Sequence, residues 1–244
     1  TRLGSVRTSP RIRAIFIANL IAQMLIVVTG AVVRLTGSGL GCPTWPECVQ
    51  GSYTPTAHQP QAWHKDVEFG NRLLTFVLVA LAVATIIAAF VDRAQRRRLG
   101  VPPRPVIVAL ASIPILGTIA QAVLGGITVL TGLSPITVSA HFLLSLAIIA
   151  GCVALVVRSG DPGDRPLLLL VRREIRILTW VIVALAGVVV TLGTVVTGSG
   201  PHSGDAESEN RFSFDPRVVS WLHADLVLLV EVGRGEGDRG VDED

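Results

Sequence analysis

Charge is scarce in this sequence. Only 16% of its 244 residues are Asp, Glu, Lys or Arg, while 50% are hydrophobic. That balance excludes an ordinary soluble domain, which needs a polar surface this chain cannot supply. Cysteine is sparse too, at three residues, too few for a four-thiolate zinc site. Charged residues are missing from the centres of the apolar runs, and no pair of discontinuous helices is visible. A solute transporter with a midplane site is therefore a poor reading. The net charge of +3 does not imply a nucleic-acid partner, because the arginines collect in short loops between apolar runs and read as topology signals.

Those apolar runs are Ala14–Val33, Val67–Val91, Val106–Leu130, Ile136–Val157, Ile177–Thr197 and Val218–Val230. The first five approach or exceed the roughly 20 residues that cross a bilayer as helix. The expected class is an all-α polytopic membrane protein. Arginines crowd the N-terminal segment, the second–third connection and the fourth–fifth connection, which places the N-terminus in the cytoplasm. No secretory signal peptide is evident, since the first run is too long and has no small-residue cleavage site. The expected organisation is a cytoplasmic segment 1–13, a four-helix membrane half 14–157, a cytoplasmic linker 158–176 and an incomplete second half 177–230. A tail 231–244, rich in glycine and acids, is expected to be disordered.

The outer ends of the odd-numbered helices echo one another. Gly30-Ala-Val-Val-Arg-Leu-Thr-Gly37, Gly126-Ile-Thr-Val-Leu-Thr-Gly132 and Gly193-Thr-Val-Val-Thr-Gly198 each precede an outer loop and a helix with polar groups near its start. This reads as a duplicated helical unit, which places a site at the repeat interface. Pro114 is a candidate kink in the third helix. Asn19, Gln23 and Gln121 are explained by hydrogen bonds between helices.

All five histidines fall on the outer side. His58 and His202 lie in loops and read as surface residues. His141 and His223 lie roughly six residues, or about 9 Å of helical rise, inside their spans. Imidazole at that depth is costly and usually functional; haem iron suits it, and a helical bundle is a natural home for porphyrin. On the second helix, His64, Glu68 and Asn71 follow the spacing of one face. Arg72 is placed to pair with Glu68. Both an interfacial ion pair and a reactive carboxylate fit that arrangement. Cys42 and Cys48 share the first outer loop, where an oxidising compartment permits a disulfide, and as a metal site the pair is weak. Cys152 reads as a small apolar residue.

The stretches Arg34-Leu-Thr-Gly-Ser-Gly-Leu-Gly-Cys-Pro-Thr-Trp-Pro-Glu-Cys48, Glu68-Phe-Gly-Asn-Arg72, His141-Phe-Leu-Leu, Val196-Thr-Gly-Ser-Gly-Pro-His-Ser-Gly204 and Leu222-His-Ala-Asp225 together resemble the haem A synthase family of cytochrome oxidase assembly, in its bacterial form. The likeness runs from about residue 14 to residue 230. It implies a multi-pass protein of the bacterial plasma membrane with two four-helix halves, each holding haem between histidines near the outer face. The implied activity is oxidation of the C8 methyl of haem O to the formyl of haem A, by successive hydroxylations with loss of water. Haem O is then the substrate of the first half and haem B the cofactor of the second. The implied partners are the enzyme supplying haem O, an electron donor the resemblance does not identify, and membrane lipid; homo-oligomerisation stays open.

On that pattern His141 and His223 are axial iron ligands, Glu68 is the functional glutamate, and Cys42 with Cys48 forms the outer-loop disulfide. His64, Asn71 and Arg72 complete the candidate cofactor contacts. Asn71 stands where many relatives have histidine, and His64 is the alternative source of a second imidazole. The sixth run, at roughly 20 Å of helical rise, falls short of a bilayer core near 30 Å. The composition change after Val230 reads as a truncation or frame shift before a seventh and eighth helix. The other reading of the chain is a non-catalytic haem carrier or b-type electron-transfer protein, which needs the ligands without the carboxylate.

Overall fold

The computed structural model describes residues 7–161, 171–201, 204–205 and 210–239. Six helices follow in order: α1 Pro10–Leu35, α2 His64–Arg98, α3 Pro105–Leu130, α4 Pro135–Gly160, α5 Arg173–Ser199 and α6 Pro216–Arg239. Among the described residues the only β pairing is an isolated bridge between Val49 and Ser52. Proline opens α1, α3, α4 and α6, where its missing N–H is no loss and its fixed φ suits the first turn. The Ser9 side chain also caps α1 by accepting the Ile12 N–H at 3.4 Å. Helix α3 runs unbroken through Pro114.

Helices α1 to α5 are long and apolar enough to cross a membrane, and the chain is a multi-pass membrane protein. α1 packs on α2 and α4, α2 on α3, and α3 on α4, which closes a four-helix ring. α5 lies against α4 and α6. On the arginine-rich inner side the ring is filled by Ile12, Phe16, Ala88, Ala89, Ile107, Ala111 and Leu155. Ile21, Leu25, Val28 and Val32 are exposed at helical spacing along α1 and form a lipid-facing stripe. Trp180 near the inner end of α5 and Trp221 near the outer end of α6 are each 73% exposed, as expected of aromatic anchors at the two interfaces.

One finding departs from the sequence reading and a second adds to it. α6 continues as helix to Arg239, whereas disorder was expected from residue 231; residues 240–244 lie outside the described residues. Once Pro216–Val230 has nucleated, each added residue gains a backbone hydrogen bond, which offsets the weak propensity of its glycines. The second concerns Arg104, taken as a topology signal. Its guanidinium is 2% exposed and donates to the carbonyls of Asp161, at 3.0 Å, and Arg158. It closes the C-terminus of α4, whose last carbonyls lack helical partners.

The α3–α4 contact is reciprocal. A Cβ added at Gly117 would lie 2.5 Å from Ile148 Cγ1, and one at Gly151 would lie 2.7 Å from Ile113 Cδ1. Each helix thus seats an isoleucine in the other's glycine notch, as close membrane packing requires. Gly117→Val should cost about 1–3 kcal/mol by overpacking. The check is a lowered thermal unfolding midpoint in detergent; an unchanged midpoint counts against the notch.

Candidate functional site

Two of the three hairpins, α1–α2 and α3–α4, share one cap at their outer ends. α1 ends with Thr36 N–H on Val32 O, Gly37 N–H on Arg34 O and Ser38 N–H on Val33 O; α3 ends with Thr131 on Ile127, Gly132 on Val129 and Leu133 on Thr128. Gly37 (φ 66°) and Gly132 (φ 59°) take the left-handed conformation this cap requires. The matched caps pair Gly30 with Gly125, one residue before the Gly126 suggested by the sequence echo. At the end of α5, Gly193 stands at the same distance from Gly200.

Each of these glycines belongs to the rising helix of its hairpin, and at Gly125 and Gly193 the returning helix sets an imidazole beside it. A Cβ built at Gly125 would meet His141 Cε1 at 3.2 Å, with Nδ1 at 3.8 Å and Nε2 at 3.9 Å. At Gly193 the same atoms of His223 lie at 3.3, 3.8 and 3.9 Å. Nδ1 of both rings is buried without a hydrogen-bond partner, which leaves Nε2 as the nitrogen that can reach a ligand. Gln121 fixes the first hairpin of this kind by donating to His141 O at 2.9 Å and Ser145 Oγ at 2.6 Å. In the α1–α2 hairpin the corresponding side chain is Asn71. It accepts from Thr29 Oγ1 at 2.8 Å, and nothing lies within 4 Å of a Cβ at Gly30.

The face of α2 bearing His64, Glu68 and Asn71 turns toward α1 and its loop. His64 Nδ1 lies 2.9 Å from Ser38 Oγ, and its ring stacks on Trp63. Glu68 is 5% exposed. Its Oε2 accepts the Cys42 N–H at 2.5 Å, and its Oε1 accepts Arg72 Nε at 3.0 Å and Nη2 at 2.6 Å. Arg72 also donates to the carbonyls of Cys42, Thr44 and Glu47, at 2.7, 3.0 and 3.3 Å. The loop held this way is closed by the Cys42–Cys48 disulfide. Gln59 adds a further bond to Gly41 O at 2.5 Å. Carboxylate and guanidinium are thus fully partnered, which makes a half-buried ion pair tolerable.

Three residues had no role assigned from the sequence. Trp45, inside the disulfide loop, lies against α3 so closely that a Cβ at Gly126 would come 2.5 Å from its ring. Gly126 follows Gly125, so the loop reaches the level of His141. A bulky aromatic between two prolines in a short disulfide loop was the available signal. The second and third are the glycines that face His141 and His223: Gly125, where the echo pointed to Gly126, and Gly193, which the echo contained without the ring it faces. Asn19, 0% exposed, donates to Cys152 Sγ at 3.4 Å, so that thiol is an acceptor as well as apolar filling. His58 is exposed, and His202 lies outside the described residues.

An axial haem ligand must offer an imidazole nitrogen with little else bonded to it, and the His141 and His223 rings fit that need. Asn71, an amide engaged by Thr29, fits it less well, while His64, bonded to Ser38 through Nδ1 alone, keeps its Nε2. Among the described residues no group of three or more His, Cys, Asp or Glu gathers to hold a bare metal ion.

Residues 13–202 match the model of a family described as cytochrome oxidase assembly protein, COX15-CtaA. A haem A synthase of Geobacillus thermodenitrificans is 36% identical over 123 residues, covering 50% of this chain and 34% of the relative. One from Geobacillus kaustophilus is 34% identical over 121 residues, with 50% and 34% covered. One from Lysinibacillus sphaericus is 31% identical over 147 residues, with 57% and 42% covered. The matches thus span only a third to two fifths of these relatives' own length. No solved structure matches.

The Glu68 knot lies inside the matched span and can be tested. Glu68→Ala should cost about 2–3 kcal/mol, less than the ~3–5 of a fully buried pair because Arg72 keeps some exposure. It should also speed reduction of the Cys42–Cys48 bond by a soluble thiol, with Glu68→Gln intermediate. Unchanged stability and reduction rate in Glu68→Ala count against the knot. The span that holds this knot, the histidine of α4 and the glycine caps covers most of the chain, which belongs to the cytochrome oxidase assembly protein family.

Proposed function

We propose that the chain is a haem-modifying membrane oxidoreductase of haem A formation, acting on the C8 methyl group of haem O. The observation that carries this reading is the repeated pose of His141 and His223. Two imidazoles at similar depth, each with a buried, unbonded Nδ1, suit iron ligation through Nε2. The relatives named haem A synthase support a reaction of haem A formation, and the pose of the two rings supports them as ligands.

On this reading His141 holds the substrate haem and His223 a haem B cofactor. Bound haem iron supplies the oxidising chemistry, and the protein binds and orients the porphyrin. Gln121 pins the first turns of α4, and so the backbone of His141, to α3. Trp45 and the disulfide loop cover the outer end of α3 and limit access of water. Glu68 and Arg72 act through that loop: with both carboxylate oxygens bonded, Glu68 positions the substrate side of the site. Asn71, already bonded to Thr29, leaves His141 as the principal ligand of that half. The reaction also needs an enzyme that delivers haem O through the membrane.

The engagement of both Glu68 oxygens favours one other reading, a haem carrier with no catalytic carboxylate. Expression in cells that make haem O separates the two. After purification in detergent, extracted pigment should include haem A, while haem B alone supports the carrier. A preparation with no Soret band contradicts both. His141→Ala and His223→Ala should each weaken haem retention by more than about tenfold, since disturbing a ligand's supporting bonds alone costs ~10–100-fold.

A further inference from the structure

We propose that Gly125 and Gly193 are positioning residues that set the ring orientation of His141 and His223, and through them the orientation of the axial ligands. The inference rests on the haem reading above and adds the means by which the chain fixes its imidazoles.

The ring pose is nearly the same in two unlike settings. From the Cβ direction of Gly125, His141 shows Cε1, Nδ1 and Nε2 at 3.2, 3.8 and 3.9 Å; from that of Gly193, His223 shows them at 3.3, 3.8 and 3.9 Å. The α3–α4 hairpin carries the Gln121 clamp on His141 O and Ser145. On α5 the position one turn before Gly193 is Val189, which cannot form that clamp. The glycine is common to both settings and the Gln121 clamp is not, so the pose does not depend on that clamp.

Among the described residues no hydrogen bond holds either ring at Nδ1. Iron-ligating histidines usually fix their orientation through a hydrogen bond from the second nitrogen, yet Nδ1 of both rings is unpartnered. The space left by the missing glycine side chain is where each ring edge sits. A Cβ on the rising helix would stand 3.2 or 3.3 Å from Cε1, tighter than ordinary contact, so the ring must shift and carry Nε2 with it. The first hairpin supplies the contrast. Its glycine, Gly30, meets nothing within 4 Å, and the side chain opposite is an amide bonded to Thr29.

Glycine that merely lets helices approach is the competing explanation, so the test reads the ring itself. The full chain is purified in detergent and loaded with haem B. The ferric low-spin electron paramagnetic resonance spectrum, the Soret maximum and haem retention are then compared for the parent, Gly125→Ala, Gly193→Ala and Gly187→Ala. Gly187 lies on α5 with nothing within 4 Å of its Cβ direction. Alanine favours helix over glycine, so folding should survive, and circular dichroism checks it. Imidazole nitrogen shifts of selectively labelled histidine are read on the haem-free chain.

Gly125→Ala and Gly193→Ala should each move the largest g value and one histidine signal, and reduce haem retention at least about fivefold, the low end for one inserted methyl. Gly187→Ala should change none of these. Spectra, retention and histidine shifts equal to the parent's in both first variants overturn the proposal, as does an equal change in Gly187→Ala. A parent that takes up no haem, with histidine signals that still move, overturns the haem reading and leaves the positioning role standing.

Discussion

Within a bilayer, apolar side chains gain nothing from leaving lipid for one another, so helix association rests on how closely backbones can approach. In this chain that approach is made where one helix contributes no side chain. Gly117 and Gly151 receive Ile148 and Ile113 in the middle and inner parts of α3 and α4. Nearer the outer face, Gly125 and Gly193 receive imidazoles and Gly126 receives the Trp45 ring. The same device that joins the helices therefore also places the chemically useful groups. Hydrophobic contact fills the inner end around Phe16 and Leu155, and the outer end is left to polar residues.

Polar residues near the membrane must have partners, and the outer loop is organised around that demand. Glu68 enters the bundle at the start of α2 and satisfies one oxygen with the Cys42 N–H and the other with Arg72. Arg72 in turn gathers three loop carbonyls. One ion pair thus ties the disulfide loop to α2, and the loop carries Trp45 to α3. The arrangement links the first hairpin to the second on the side where His141 lies. At the inner side Arg104 does comparable work for the end of α4.

Much of the fold was legible because its signals are local. Apolar runs located all six helices, and the four-residue spacing of Glu68 and Arg72 foretold their pairing. Helix ends extend beyond the runs since caps and first-turn prolines, such as Ser9 with Pro10, lie outside hydrocarbon and carry no hydropathy. α6 outran its apolar segment because helix propagation continued over Glu231–Arg239. The site was legible in its histidines and only partly in its surroundings. Thr29 bonding Asn71, Trp45 seated on Gly126 and Gln121 bonding Ser145 join residues far apart in sequence. The repeat echo was offset by one residue at α3, because two adjacent glycines match the pattern and only the cap geometry separates them.

In the proposed function, the outer ends of the α3–α4 and α5–α6 hairpins present imidazole Nε2 to haem iron. Electron–nuclear double resonance on the haem-loaded chain, with histidine labelled with ¹⁵N, tests it most directly. The account predicts strongly coupled imidazole nitrogen on low-spin ferric haem, diminished when His141 or His223 is replaced by alanine. Coupling that is absent, or untouched by both replacements, contradicts it.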